Sequence, residues 1–587
     1  MTPFDYFTNG KNVYKRRYDA LRAFFYDRRK AEDVAEEFGY TLSAFYSLSR
    51  DFGKHLNSSP CDDLFFKEYQ RGRKPAGDVD ELNDLVIDLR KLNYSTQDIV
   101  TIANSKNHPI TYGYVYQLLK REGFAKLSRR SKLDKENLTP PKICPPVSKM
   151  LEIRVARFTT GSAGLLFFLP YLKQYGIDTL ITESHYPETK AIGKLSSILS
   201  FIALKLSNVR RYSCDDLWCM DRGAGMFAGL NVLPKSAWLS SYSHRVTGEM
   251  NLNFLKGLHI IWQKNDLLSD TSNIDFTTIP YWGDDSHLEN NWSGKRNKAM
   301  SSMLAVLAQD PESGIIDYGN TNVMHENESQ VVLEYLDFYR TGAPDNSKLK
   351  YLVFDSKFTN YQNLGKLDDE GIKFLTIRRR GKNIVQKINS LPAGSWKKIR
   401  IEASGLKKRT LRVYEKFGLL KGYSERDNAE PRNMRQINIT GNGKIKPAII
   451  ITNDFDLPIE KIVRKYARRW LVEKAISEQI EFFHLNSISS SIVIKVDFDF
   501  VMSIFAHNLY RLFALDLKRY SHFSDIKIYE KFIDNSATIS IEKEQIRVEL
   551  KKKRALPQIL ELFSDSEKFN YEWIGNKPIE FLGASTS

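Results

Sequence analysis

The sequence predicts a multidomain chain with all-α helix-turn-helix units at its N-terminus. An α/β core follows, interrupted by a β-rich insertion. Three observations carry this expectation. At 587 residues the chain is too long for one domain. The first 150 residues hold short helical patterns broken at glycine. Farther on, the apolar run Tyr351-Leu352-Val353-Phe354 reads as a buried central strand, and short alternating runs between Arg378 and Ile451 delay the helix that should return from it.

In order along the chain, Arg28 to Phe52 gives two short helices, Val34–Phe38 and Ser43–Leu48. They are separated by Phe38-Gly39-Tyr40-Thr41, which is helix-turn-helix spacing within a unit at 1–70. A second unit, 71–130, opens with Arg71-Gly72-Arg73-Lys74-Pro75, a basic extended segment suited to a minor groove. Ser95 to Ile99 starts one helix. Thr111 to Glu122 is the candidate recognition helix, offering Tyr112, Tyr116, Gln117, Lys120 and Arg121. A pair of helical hairpins used for packing or dimerisation is the simpler alternative. Residues 131–150, rich in proline beyond Arg129 and Arg130, read as a linker.

Residues 151–270 read as mainly helical, with Ile192 to Leu206 strongly apolar, and 271–377 as the first part of the core. There Asp275 lies in a β-branched and aromatic run, Ile274 to Trp282, and Asp355 ends the Tyr351–Phe354 strand with Ser356 and Thr359 as helix-start signals. The insertion, 378–451, contains Lys397–Ile401 and Thr410–Tyr414 as alternating runs and the turn signal Asn442-Gly443. It is rich in basic residues, including Arg378, Arg379 and Arg380; Trp396 in it could stack on an unpaired base. The second part of the core, 452–520, starts a helix after Asp456 and Pro458 with Ile459, Ile462, Val463 and Tyr466 at helical spacing. Continued as one helix, it places Tyr466 and Glu473 within roughly 20° of one face, with Arg469 between them. A later apolar helix, Phe500 to Leu515, carries His507, read as a satisfied core histidine, with Asn508 and Arg511. The tail, 521–587, reads as an accessory segment of short strands with the basic run Lys551–Arg554.

An ionised aspartate ending a buried strand needs a partner, and a divalent cation is a natural one. Asp275, Asp355 and Glu473 occur on a strand, a strand end and a helix, separated by 80 and 118 positions. Three carboxylates gathered from such distant segments make a hard, oxygen-rich site suited to Mg²⁺, with Mn²⁺ as substitute. Two such ions about 3.5–4 Å apart promote phosphoryl transfer.

Here the chain resembles the DDE transposases of bacterial insertion sequences, built on a ribonuclease H-like fold. In one branch the last carboxylate sits in Tyr-x2-Arg-x3-Glu-x6-Lys. Tyr466, Arg469 and Glu473 match it, while Ile480 stands at the lysine position and Lys474 can substitute only from a neighbouring face. Ala163–Pro170, Ala228–Lys235, Val353–Asp355 and Ile372–Thr376 resemble the same family, which carries a β-rich insertion at the corresponding place; the likeness covers roughly residues 155–515. It implies that Asp275, Asp355 and Glu473 are the catalytic metal ligands, with Arg469 on a phosphate and Tyr466 positioning it or the carboxylate. It further implies cut-and-paste transposition: water cuts at the transposon end, and the freed 3′ hydroxyl attacks target DNA at the same site. The partners implied are double-stranded DNA, as terminal inverted repeats and target, and a second copy in a homodimeric synaptic complex. A hairpin route to second-strand cleavage is implied by analogy alone. The competing readings are a nuclease of the same fold that does not join ends, and a catalytically silent DNA-binding regulator.

Composition is compatible with this. A formal charge of +16, from 87 basic and 71 acidic residues, favours polyanion partners, and a 42% hydrophobic share supplies folded cores. Cys61, Cys144, Cys214 and Cys219 form no CxxC pair, so neither a zinc ribbon nor a disulfide scaffold is supported. No signal peptide or Walker-type loop is visible, and the apolar run from Leu165 to Leu172 is too short to span a bilayer. A cytoplasmic, nucleoid-associated location in a prokaryote, with no membrane partner, is therefore expected.

Overall fold

The computed structural model describes residues 13–58, 65, 79–91, 94–105, 108–124, 151, 153–209, 218–280, 289–293, 298–341, 348–402, 408–426, 430–441, 446–485 and 493–585. The chain divides into two units, Met1–Ile143 and Cys144–Ser587.

The first unit is helical where described. Helices α1 (Val13–Phe25), α2 (Ala31–Glu37) and α3 (Leu42–Ser58) bury Ala20, Ala23, Val34, Ala35 and Phe45 together. The break between α2 and α3 falls at Gly39, whose φ of 69° is left-handed and accessible to glycine at little cost. Helices α4 (Val79–Lys91), α5 (Thr96–Ser105) and α6 (Tyr112–Arg121) close around Val86, Ile99, Val115 and Leu118. Ser95 caps α5 in a reciprocal box: its Oγ accepts from Asp98 N–H at 3.1 Å, and Asp98 Oδ2 accepts from Ser95 N–H at 3.2 Å. Thr111 Oγ1 caps α6 by accepting from Tyr114 N–H at 3.3 Å. The Arg71–Pro75 segment with Arg73 and Lys74, the linker at 131–150, Cys61, Cys144, Cys214 and the Asn442-Gly443 turn lie outside the described residues.

The second unit mixes helix and sheet. After β1 (Ala156–Thr160), α7 (Leu169–Gln174), α8 (Ile177–Glu183), α9 (Lys194–Leu206), α10 (Arg222–Phe227), α11 (Ser236–Ser243) and α12 (Gly248–Lys264) follow, so 151–270 is mainly helical. Every residue of α9 from Ser196 to Leu206 is buried, as its continuous apolar run requires.

A ten-stranded sheet then forms from β2 (Thr271–Pro280), β3 (Asn290–Ser293), β4 (Lys298–Gln309), β5 (Ile316–Val323), β6 (Tyr351–Phe354), β7 (Lys373–Ile377), β8 (Lys397–Glu402), β9 (Lys408–Gly418), β10 (Met434–Thr440) and β11 (Ala448–Thr452). Within it, β5-β4-β2 are antiparallel, and β6 and β7 run parallel to β2. Helices α13 (Val331–Tyr339) and α14 (Tyr361–Asp369) make the crossovers. β6 lies between parallel strands and is covered on both faces, Leu352 and Phe354 in one core and Val353 in the other, which is why the run Leu352–Phe354 is apolar.

The insertion is β-rich, with one helix among the described residues, α15 (Lys382–Asn389). Its strands form no separate layer: β11 pairs antiparallel with β7, so β11-β10-β9-β8 prolong the core sheet. Under this extension Val353, Leu375, Ile399, Leu411, Val413, Ile437 and Ile450 make a second core. It is covered by Ile462 and Val463 of α16 (Ile459–Ala467). The apolar spacing of α16 is thus a packing face.

Two expectations about local structure are corrected. The stretch from Ile459 to Glu481 is not one helix: α16 ends at Ala467 and α17 (Trp470–Glu481) begins after a turn at Arg468-Arg469. Tertiary bonds explain the break. Asn273 Nδ2 donates to Arg468 O at 3.1 Å, while the Arg468 guanidinium holds Pro311 O at 2.7 Å and pairs with Glu312. Arg469 N–H consequently bonds Tyr466 O, three residues back. Secondly, Ser356 and Thr359 do not start a helix. Ser356–Phe358 is a single 3₁₀ turn, and α14 is capped by Asn360, whose Oδ1 accepts from Gln362 N–H at 2.9 Å.

Helix α18 (Val493–Asp516) covers β5, where Asn508 acts as a surrogate strand residue. Its Oδ1 accepts from Ile316 N–H and its Nδ2 donates to Ile316 O, both at 2.8 Å. The tail is not peripheral. Beyond the short helix α19 (Asp525–Ile528), strands β12 (Ala537–Ile541), β13 (Ile546–Leu550) and β14 (Ile579–Gly583) join β1 in the order β1-β12-β13-β14, with α20 (Leu556–Leu562) between the last two. Phe563 and Phe581 pack on Phe167 with ring centres 5.3 and 5.2 Å away.

Candidate active site

Asp275 sits in the middle of β2, Asp355 one residue past the end of its parallel neighbour β6, and Glu473 in the first turn of α17, which packs on β2 and β4. The two aspartate segments are locked together by Phe276 and Phe358, which stack with ring centres 3.9 Å apart and planes 5° from parallel. Thr376 Oγ1 on β7 donates to Asp355 O at 3.3 Å, fixing the strand end from the other side.

Arg469 joins the carboxylates. From the turn between α16 and α17, its Nη1 donates to Asp275 Oδ2 at 2.5 Å and its Nη2 to Glu473 Oε1 at 2.5 Å. The i, i+4 spacing of Arg469 and Glu473 makes the second contact local; the first crosses the sheet. Tyr466 lies beside the same guanidinium, 5.9 Å from ring centre to carbon. Burial raises the Tyr466 hydroxyl above its usual range, so it is a proton donor at neutral pH, and the neighbouring carboxylates hold Arg469 firmly charged against the opposing effect of its own burial.

The Asp275 carboxyl is pushed up to about 6. Burial is the main cause. Arg469 and the Phe276 N–H, which donates to Oδ1 at 2.8 Å, oppose it; Glu473 and Asp355 add to it by like-charge repulsion. Three acidic groups therefore feel one another here with a single guanidinium between two of them. Their oxygens are not all within 4.8 Å of one another; among the described residues the one His, Cys, Asp or Glu group that meets this spacing is Glu478, His507 and Asp525. Arg469 occupies the space between Asp275 and Glu473, and its Nε is buried with no hydrogen-bond partner among the described residues.

A cavity of about 670 Å³ opens beside this cluster, lined by Asp355, Arg378, Arg379, Arg380, Tyr466 and Arg469 among others. Asp355, Tyr466 and Arg469 thus line one cavity with the three arginines after β7, while Asp275 and Glu473 adjoin it through Arg469. Two insertion residues missed by sequence reading, Arg409 and Lys446, line it as well. Arg409 was detectable: it is in phase with Leu411 and Val413 on β9, so it extends the inward face of that strand beyond its apolar part. Trp396 and Lys474 are not brought in. Trp396 packs toward Tyr414 on the insertion, ring centres 6.1 Å apart, and Lys474 Nζ lies 3.9 Å from Glu478 Oε1, on a different helix face from Glu473. In the first unit, Tyr112, Tyr116, Gln117, Lys120 and Arg121 are all on the exposed face of α6, opposite Val115, Leu118 and Leu119.

Residues 269–509 match the family described as "Transposase DDE domain", and this segment contains Asp275, Asp355 and Glu473. Over this segment the chain is similar to the DDE transposases. No curated protein matches it. Among solved structures it is similar to a piggyBac transposase synaptic complex with hairpin DNA, at 12% identity over 64% of this chain and 82% of that one, with a TM-score of 0.33. A pre-cleavage Mos1 transpososome is similar at 10% identity over 62% and 77%, with a TM-score of 0.14. Among the described residues, no helix is long and apolar enough to cross a membrane.

Proposed function

We propose that the chain is a cut-and-paste DNA transposase, cleaving at transposon ends and joining the freed 3′ hydroxyl to target DNA, with Asp275, Asp355 and Glu473 as its metal-holding carboxylates. The observation that carries this is the convergence at Arg469: segments up to 194 positions away in sequence deliver acidic side chains to one guanidinium, beside a cavity that Asp355 also lines. The order β5-β4-β2-β6-β7, antiparallel then parallel, supports a ribonuclease H-like core with one aspartate on its first strand and one ending the neighbouring parallel strand.

The donor set fits a hard divalent cation. All three candidates are carboxylates, and the ionisation of Asp275 is held back by burial and by its acidic neighbours, so added positive charge is what the cluster lacks. Two Mg²⁺ ions, or Mn²⁺ in their place, would supply Lewis-acid activation of the attacking hydroxyl and charge neutralisation at the phosphodiester. The chain's own groups do the rest. Arg469, held by the carboxylates at Nη1 and Nη2 and lining the cavity, contacts a phosphate oxygen, and Tyr466 positions it or the carboxylate. Arg378, Arg379, Arg380, Arg409 and Lys446 grip the DNA backbone along the cavity. Helix α6 reads the transposon end through Tyr112, Tyr116, Gln117, Lys120 and Arg121, as the second member of a helix-turn-helix, with Arg73 and Lys74 in the adjoining minor groove. Trp396, outside the cavity, is left to hold an unpaired base, and two copies form the synaptic complex.

The test is Mg²⁺-dependent cleavage of duplexes carrying the repeats that flank the reading frame, with Asp355→Asn as control. Wild type should cut and the variant should bind without cutting. Equal inactivity of the two on bound ends contradicts the proposal.

A further inference from the structure

Five positions beyond Glu473 on α17, Glu478 points away from the DNA-facing cavity and into the protein, where it meets His507 of α18 and Asp525 at the start of α19. His507 and Asp525 are each 1% exposed. His507 Nδ1 lies 2.6 Å from Asp525 Oδ2 and 3.9 Å from Glu478 Oε2, and one ligand atom from each residue lies within 4.8 Å of the others. The opposite ring nitrogen, Nε2, faces Gly314 O at 3.0 Å.

That last contact decides the chemistry. A carbonyl only accepts, so Nε2 carries the proton and Nδ1 presents either a lone pair or a second proton to two carboxylates. A backbone carbonyl orienting the far nitrogen in this way is the usual outer partner of a metal-ligating histidine. Two further observations point to something bound. Among the described residues, Asp525 Oδ1 and Glu478 Oε1 are buried and accept no hydrogen bond, a costly state for carboxylate oxygens. Lys474 Nζ stays 3.9 Å from Glu478 Oε1, beyond hydrogen-bond reach, and the Arg511 guanidinium is directed at the carbonyls of Ser313, Ser521 and Phe523.

We infer that Glu478, His507 and Asp525 form a second, buried metal site that holds one transition-metal dication, Zn²⁺ by the chemistry of its donors, and clamps α17 to α18 and α19. One imidazole nitrogen and two carboxylates suit zinc better than Mg²⁺, which takes oxygen ligands and retains water. Bonds of about 2.0–2.2 Å in a tetrahedral site put ligand atoms about 3.4 Å apart. Asp525 Oδ2 is closer than that to Nδ1, and Oδ1 of the same carboxylate, free of other bonds, is the oxygen that turns in. The ion displaces the proton between Nδ1 and the carboxylates, so binding releases it. This site is independent of the proposed DNA chemistry: it would fix the back of the helix whose first turn carries Glu473.

The experiment is elemental analysis of the full-length protein, purified after growth with zinc and dialysed against Mg²⁺ buffer. Wild type and the Asp275→Asn/Asp355→Asn double variant should both retain a single zinc per chain, and His507→Gln and Glu478→Gln should lose it. A strong chelator should lower the unfolding temperature of wild type and leave that of Glu478→Gln unchanged. A zinc-free wild type that takes up no zinc when it is added back, or zinc retained equally by both cluster variants, overturns the site. If His507→Gln does not fold, Glu478→Gln and the wild-type stoichiometry decide alone.

Discussion

Arg469 bridges Asp275 and Glu473, and its removal has two separable consequences. Asp275 loses the guanidinium that opposes burial and its acidic neighbours, so its carboxyl should rise further above 6. The phosphate contact proposed for Arg469 is also lost. Arg469→Gln should cut the cleavage rate by roughly 10²–10³-fold in preformed DNA complexes, as for loss of one preorganised transition-state donor. A rate within twofold of wild type would remove Arg469 from the chemistry. Asp275 itself makes stability pH-dependent. Its folded value of about 6 exceeds the unfolded value near 3.8, so the folded state binds the extra proton between those limits. Its contribution is present at low pH and is lost as pH rises from about 4 to 6, after which it is constant. In metal-free buffer, the stability of Asp275→Asn relative to wild type should therefore climb over that interval, by a few kcal/mol at most, and then level off. Denaturant midpoints at several pH values measure this, and a difference that is flat with pH contradicts it.

At the scale of elements, the turn between α16 and α17 aims both Arg469 and Glu473, and Asn273 on β2 holds it through Arg468 O. Asn273→Ala should cost about 1 kcal/mol in stability and lower cleavage more than it lowers DNA binding. Equal losses in both would mean that the turn does not position the site. Close approach elsewhere is less forgiving. A Cβ on Gly164 would meet the backbone oxygen of Ile533 at 1.8 Å, so Gly164→Ala should destabilise by about 3 kcal/mol, read as a lower unfolding temperature. The elements the sequence revealed were those whose cause is local. Tyr351–Phe354 declared a central strand because it is apolar throughout, and α16 showed its face in Ile459, Ile462 and Val463. The break at Arg468 was hidden because its cause is Asn273, nearly two hundred positions away. The apparent start at Ser356 misled because a 3₁₀ turn and a cap at Asn360 use the same residue types as a helix start. The continuation of the core sheet through β11 was equally invisible, since strand pairing is set by packing rather than by composition.

At the scale of the molecule, two units with separate cores share the work proposed here, end recognition in 1–143 and chemistry in 144–587. The candidate site was legible to the extent that each carboxylate lay in a recognisable strand or helix context. Arg409 and Lys446 were missed because the insertion's fold decides which of its many basic side chains reach the cavity. If α6 reads transposon ends, Lys120→Ala and Arg121→Ala in the full-length protein should weaken end binding. Each should lower the salt-dependence slope by about 1 if its contact is to phosphate. Unchanged affinity would relieve that helix of the role.

In the proposed mechanism one carboxylate site both cuts and joins. Incubating the protein with Mg²⁺, a pre-cleaved end bearing a 3′ hydroxyl and a supercoiled plasmid tests it most directly. End–plasmid joints should form with wild type and be absent with Asp355→Asn and without metal. Cleavage of intact ends without any joint product would contradict the claim and leave a nuclease of the same fold.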